Sequence, residues 1–392
     1  MTNDHSAGLP VLVISHHAET KLDLSTDLAA ALLADGPGLG PGPGLGPGLG
    51  PGLGLGLERH WLRGPHIRIW GAEDHFEAVA ARAGAVLARH RSPQPLDEPT
   101  HLARSQALGR AELVPGPYGP LRPDNTVAVE ELAAEQITGL IGAAGLRLKQ
   151  RVMAEFLPAL AVSRSLGELP GAIRAIAPMV ALAATWPVGG VRSGHLTYRS
   201  HLEEYLHLND PDGLLRTRFT EQHARVSVSV DRIVADVLDS IDDDHPDGAR
   251  RGPYTGADEA TAAWSAAFGR ALVHASAAAA RGELGEDLGS GYAARAAEHW
   301  PAERTRWEFG ADRGYSEFHR TLRGLDHLPE RVHVTEFAAY RFVVNQFLRT
   351  VPLLDVSPVE RYFAAFALCD SVERLLGVDW RALLATGAEA RS

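Results

Sequence analysis

A single cysteine, Cys369, stands in a chain of 392 residues. That scarcity excludes a disulfide framework and any multi-cysteine zinc site. Its neighbours, from Phe363 to Leu368, are apolar or alanine, which predicts a buried, unreactive thiol. Positive charge is short as well. Thirty-eight Lys and Arg face 49 Asp and Glu, a formal net charge of −11. Nucleic acid is therefore not expected as a partner, because phosphate binding needs a basic face. The first residues lack a basic stretch followed by an apolar one, so no secretory signal is expected. Long hydrophobic runs are missing too. The longest uncharged stretch, between Arg174 and Arg192, holds Pro178 and Pro187 and is too short to read as a membrane span. A cytoplasmic enzyme or binding protein without a membrane partner is the expectation. The oligomeric state is not legible.

Several chemical signatures are absent. There are 18 histidines, yet no H-E-x-x-H and no cysteine pair, so no protein-bound metal is expected. His16 and His17 are adjacent and would face opposite ways on a strand. No G-x-S-x-G elbow or Walker loop appears, which weighs against a hydrolase or an NTPase. The tract from Gly36 to Gly56 places glycine at every even position and Pro or Leu between. That period of two excludes collagen, and it cannot hold G-x-G-x-x-G. It reads as a flexible surface loop inside one domain, without chemistry. No cofactor is expected.

What is present reads as α+β: a mainly helical single domain spanning 1–392, with a small β-sheet near the N-terminus. Leu9–Ile14 is an apolar run that predicts a buried strand. Lys21–Ala34 and Asp74–His90 show helical patterns, the second with Phe76, Val79 and Val86 toward a core. His101–Arg110 suggests a short helix, and Leu121–Val129 includes a candidate strand. Helical patterns then cover Glu130–Gly142, Leu148–Ser165, Leu169–Ala184, Gly194–His207 and Leu214–Ile241. Asp242–Asp247 reads as a solvated acidic turn. Further helices are expected at Asp258–Ala280, Tyr292–His299, Val332–Arg349 and Ser357–Leu376.

Three stretches could carry chemistry. After the turn at Gly64-Pro65, residues 66–70 alternate: His66, Arg68 and Trp70 on one face, Ile67 and Ile69 on the other. A strand with a His/Arg/indole face is a candidate site floor. In the second stretch, Ser193 is a plausible N-cap. His195, Tyr198, Leu202 and Tyr205 then share a helical stripe, offering phenols and an imidazole to one cavity. An aromatic core stripe is the equally simple alternative. In the third, Phe342, Gln346 and Arg349 share a helical face. A buried Gln346 carboxamide must find partners, either a backbone neighbour or a substrate amide.

The segment Trp61-x-x-Gly64-Pro65-His66-x-Arg68 resembles a strand of the small elimination domain of class I lantibiotic dehydratases. Arg341-Phe342-x-x-Asn345-Gln346, with the segment Pro352 to Tyr362, resembles that domain's closing helices. In their order along the chain these motifs resemble the stand-alone thiopeptide pyridine synthases. Trp70 stands where full dehydratases usually carry a second arginine, and the chain has no room for a glutamylation domain. An indole suits a flat thiazole better than a glutamate leaving group. The resemblance implies a precursor peptide as partner, bearing a leader, thiazoles and dehydroalanines. It implies a formal [4+2] aza-cycloaddition between two dehydroalanines, followed by loss of water and of the leader as its carboxamide, with no cofactor. Under it, Tyr198 and Ser193 become donors to the amide oxygen and Gln346 orients that amide. His66 and Arg68 become candidates for the eliminations, and Trp70, His195, Tyr205 and Arg349 for substrate contacts. Two other readings stay open: a stand-alone glutamate-eliminating component of a split dehydratase, and a non-catalytic leader-binding scaffold.

Overall fold

The computed structural model describes residues 8–34, 54–71, 75–93, 95–133, 135–239, 258–284, 290–308, 310, 313–324 and 334–389. Nearly all of the glycine tract and all of the acidic turn at 242–247 lie outside the described residues. Helices dominate, with a single small sheet among the described residues. The α+β expectation is met. Among the described residues no helix is long and apolar enough to cross a membrane.

The chain divides into two compact units. The first comprises residues 1–164 and 277–313. It holds β1 (Leu9–Ser15), α1 (Leu22–Leu33), β2 (Gly56–His60), β3 (His66–Trp70), α2 (Phe76–Leu87), α3 (Glu98–Glu112), β4 (Thr126–Leu132) and α4 (Glu135–Ala161). It also holds α10 (Ser290–His299) and α11 (Arg304–Trp307). The strands pair antiparallel in the order β2-β3-β1-β4. Gly56 opens β2 rather than closing a loop.

Strand alternation sorts the sheet into two faces. Leu12, Ile14, Leu57, Ile67 and Ile69 share one face, and all are at most 1% exposed. On the other, Val11, Val13 and Trp70 pack with Leu146 and Met153 of α4. The alternation read from 66–70 is therefore real, but the polar face is as buried as the apolar one.

One local expectation fails. Glu130, Glu131 and Leu132 are strand, paired through Val11, Pro10 and Leu9 of β1, not the start of a helix. The ladder supplies the backbone partners that a helix would otherwise supply, so tertiary pairing overrides local propensity. The helix end expected at Gly142 is present as non-helical backbone inside α4, which resumes after it and runs to Ala161.

The second unit comprises residues 165–276 and 314–392. It holds α5 (Gly171–Ala183), α6 (Val191–Gly194), α7 (Leu196–Asn209), α8 (Leu214–Leu238) and α9 (Glu259–Ala280) as far as Ser276. It continues with α12 (Glu317–Arg323), α13 (Val334–Thr350), α14 (Pro358–Leu376) and α15 (Trp380–Glu389). α14 is the hub, packing on α5, α7 and α8. Its start is fixed by a reciprocal capping box. The Ser357 hydroxyl accepts the Glu360 amide at 3.3 Å, and the Glu360 carboxylate accepts the Ser357 amide at 2.8 Å.

Candidate active site

In the first unit the polar side chains of β3 hold one another. His66 is fully buried. Its Nδ1 lies 2.8 Å from the Gly64 carbonyl, and its Nε2 accepts from Arg68 Nε at 3.2 Å. A carbonyl at one nitrogen and a guanidinium donor at the other fix one neutral tautomer. Burial, then the charges of Arg68 and Arg122, hold its pKa well below the ordinary value. The turn before β3 places Gly64 at φ +103°, and a Cβ there would sit 2.9 Å from His17 Nε2. Only glycine tolerates both conditions.

Trp70 is 1% exposed. Its indole N–H donates to Glu58 Oε2 at 3.1 Å, and Lys149 Nζ lies 4.4 Å from its ring centroid. Lys149 donates to the same Glu58 oxygen at 2.8 Å. The indole sits within the core of its unit.

The second unit gathers more open chemistry around α7. Two glycines with positive φ, Gly189 and Gly190, turn the chain into α6. Ser193 lies inside α6, and its hydroxyl donates to the Val188 carbonyl at 2.5 Å. It does not cap α7, whose N-cap position is His195. The N-cap expectation is thus corrected: a short extra helix takes up the residues that would have made the cap.

One face of α7 is buried. His195, Tyr198 and Leu202 are all 0% exposed. His195 Nδ1 lies 2.9 Å from the Val191 carbonyl, and its Nε2 is 3.8 Å from Glu373 Oε1. Cys369 donates to the His195 carbonyl at 3.6 Å. Burial raises the Cys369 pKa to about 12, so the inert thiol expected from the sequence is present. Arg199 binds Glu373, with Glu203 also beside it, and Glu203 in turn accepts from Arg216 at 2.7 Å.

The Tyr198 hydroxyl has no hydrogen-bond partner among the described residues. Burial, together with Tyr340 and Cys369, drives its pKa far up, so it remains a neutral donor. Gln346 Oε1 is unpartnered in the same sense and Gln346 is buried. Phe342 is buried on the same stripe, while Arg349 is exposed. Buried polar atoms without partners are costly and rare in folded proteins.

Away from that face α7 is only partly buried at Thr197, Ser200, His201 and Glu204, and Tyr205, which continues the stripe of Tyr198 and Leu202, is partly buried as well. Here α7 meets α12, α13 and α14. Asn345, Arg361, Arg341 and His319 lie close enough to His201 to act on its charge. Burial first, then Arg361 and Arg341, lower its pKa to about 3. It is a neutral imidazole at any physiological pH. Tyr205 stacks on Tyr362 with centroids 3.7 Å apart and planes 8° from parallel. The Arg361 guanidinium lies 4.9 Å from the Tyr362 ring and donates to the Leu348 carbonyl at 3.4 Å. Neutral imidazole, guanidinium groups, a carboxamide and a phenol pair share one surface. Such a set can bind peptide carbonyls and flat rings.

Of the residues singled out from sequence, His66, Arg68 and Trp70 belong to the first unit and the others to the second. Sequence reasoning missed Ser200, His201, His319, Arg341, Asn345, Arg361 and Tyr362 as site members. A polar stripe at 197, 201 and 204, beside the aromatic one, carried the signal. Among the described residues no group of three or more His, Cys, Asp or Glu is placed to hold a metal.

No protein-family profile matches the sequence, and no curated protein matches it. Solved structures do. Residues covering 95% of this chain superpose on 99% of the pyridine synthase TbtD from thiomuracin biosynthesis, with TM-score 0.59 and 21% identity. Coverage of TsrL is 96% of this chain and 98% of that one, with TM-score 0.59 and 16% identity. Across nearly its whole length the chain has the fold of TbtD and TsrL.

Proposed function

We propose that this protein is a cofactor-independent, cytoplasmic pyridine synthase of thiopeptide biosynthesis. The full-length likeness to the pyridine synthase TbtD carries the reading. The residues around α7 support it, because they are proton donors, neutral acceptors and aromatic faces. The substrate is a precursor peptide with a leader, thiazoles and two dehydroalanines.

In this reading the amide beside one dehydroalanine becomes its iminol tautomer, a 2-azadiene. Tyr198 is the donor to the amide oxygen, since its hydroxyl is unspent. Gln346 offers its unpartnered carbonyl oxygen to the amide nitrogen. The neutral imidazole of His201, beside Asn345, accepts or donates without adding charge. Arg361 and the Tyr205–Tyr362 stack receive the azoles and carbonyls of the peptide. Arg349, which is exposed, extends that contact surface, whereas His195 is fully enclosed and lies behind it. Ser193, already donating to Val188, offers its lone pairs to a peptide N–H. His66 and Arg68 act as a fixed polar pair that shapes their unit, and Trp70 as packing beneath it. Holding the two ends of a long peptide together is an entropic task, and oriented intramolecular reactions recover roughly 7–11 kcal/mol.

The test is incubation with a thiazolyl peptide carrying two dehydroalanines and its leader, followed by mass spectrometry. The expected products are a pyridine macrocycle and the free leader carboxamide. Turnover only of a glutamylated peptide would instead favour the split-dehydratase reading. Tight binding of the peptide with no product would favour a scaffold.

A further inference from the structure

Ser200 and His319 lie 119 residues apart in sequence and 2.9 Å apart in space, Oγ to Nε2. On the far side of the ring, Nδ1 is 2.8 Å from the Ser316 hydroxyl. Ser316 is the N-cap of α12 and also accepts the His319 backbone N–H at 3.3 Å. Glu204 Oε2 lies 3.9 Å from the same Nδ1. His201 is next to Ser200 in sequence and interacts electrostatically with His319. Glu317 on α12 is paired with Arg381 of α15.

This setting differs from that of His66. There a carbonyl and a guanidinium lock one tautomer. A hydroxyl donates or accepts with equal ease. His319, with a hydroxyl at each nitrogen, can therefore exchange tautomers without losing either contact. A purely structural histidine gains nothing from that freedom, whereas a proton carrier needs it. The ring is 20% exposed and Ser200 is partly buried, so the chain of groups ends at a surface a peptide can reach.

We propose that Ser316, His319 and Ser200 form a proton relay that serves the two eliminations completing the pyridine. The assignment rests on the pyridine-synthase reading. In each elimination, protonated His319 passes a proton through the Ser200 hydroxyl to the departing heteroatom. That atom leaves with its bonding pair, first as water, then as the leader carboxamide. The ring C–H proton next returns to His319, and its electron pair closes the new double bond. One proton is supplied and one recovered in each step. Ser200 touches the leaving group; His319 acts through it.

The experiment compares wild type with Ser200→Ala, His319→Ala and His319→Gln in single turnover on the bis-dehydroalanine peptide. Peptide affinity is measured by fluorescence anisotropy and folding by thermal melts. The alanine variants should slow pyridine formation by roughly ten- to a hundredfold, as for a lost acid–base group. Affinity should stay within about twofold, in line with a loss confined to the transition state. They should also accumulate an adduct with the mass of the substrate whose dehydroalanines no longer add thiols. His319→Gln keeps two hydrogen-bonding positions and should fold even if His319→Ala does not, yet stall at the same adduct. Wild-type rates in well-folded Ser200→Ala and His319→Gln overturn the relay alone. A wild-type enzyme that binds the peptide but forms no pyridine overturns the function and the relay with it.

Discussion

Arg68 donates its Nε–H to His66 Nε2 across 3.2 Å, on one face of a single strand. The arginine thereby holds the imidazole in its uncharged form. Burial lowers the pKa of His66, of His16 (to about 4) and of His201 (to about 3). The unfolded chain binds protons at these histidines near the ordinary value of 6.5, and the folded chain does not. Their contribution is complete above pH 6.5 and is lost as pH falls below it. The urea midpoint should drop between pH 7 and pH 5, before most carboxylates titrate. His201→Asn should flatten that dependence. A midpoint constant over this interval would refute the neutral-histidine account.

Tyr198→Phe removes a hydroxyl that has no partner to lose. The melting temperature should hold or rise. Turnover should fall roughly ten- to a thousandfold if the phenol is the donor to the amide oxygen. A lower melt with an unchanged rate would make Tyr198 structural.

Glu58 accepts from both Trp70 and Lys149, and all three are buried. Glu58→Ala leaves the Lys149 charge without this carboxylate and should destabilise by about 3–5 kcal/mol. Exchanging both at once, Glu58→Leu with Lys149→Met, should recover most of that loss. Equilibrium denaturation of the single and double variants decides. Equal losses in both would mean that the charge pair is not the source.

Cys369 is enclosed and its thiol is pushed up to about 12. Iodoacetamide should therefore label it only as fast as the protein unfolds. The labelling rate in increasing urea should follow the circular-dichroism transition. Rapid labelling of native protein would show that α14 opens locally.

Much of the fold was legible because its signal is periodic. β1, α1 and α14 appear within a residue or two of their expected bounds. The failures lie where distant partners decide. Glu130 joined a strand because β1 stood ready to pair with it. The face holding His66, Arg68 and Trp70 was readable as a face, but its burial was not, since α4 supplies the cover from 70 or more residues away. The aromatic stripe at 195, 198, 202 and 205 was visible by spacing. His201 was visible only as a misplaced histidine, because Asn345 and Arg361 lie on helices that no local pattern brings to it. Ser200 and His319 are the extreme case: neither is distinctive alone, and packing creates the pair.

The Tyr340 hydroxyl donates to the Gly194 carbonyl at 3.0 Å, and a side chain at 194 would strike the Ala183 carbonyl. This joint pins α13 to the entrance of α7. From Gly194 to His201 is close to two helical turns, roughly 10 Å along the axis. The joint works as the zero mark of a ruler: it sets the rotation at which His201 meets Asn345. One residue inserted after Gly194 would swing the imidazole by about 100°, out of the company of both arginines. Substitution therefore has room at 205 and 362, where partly buried rings stack, and almost none at 194 and 340, where the scale is set.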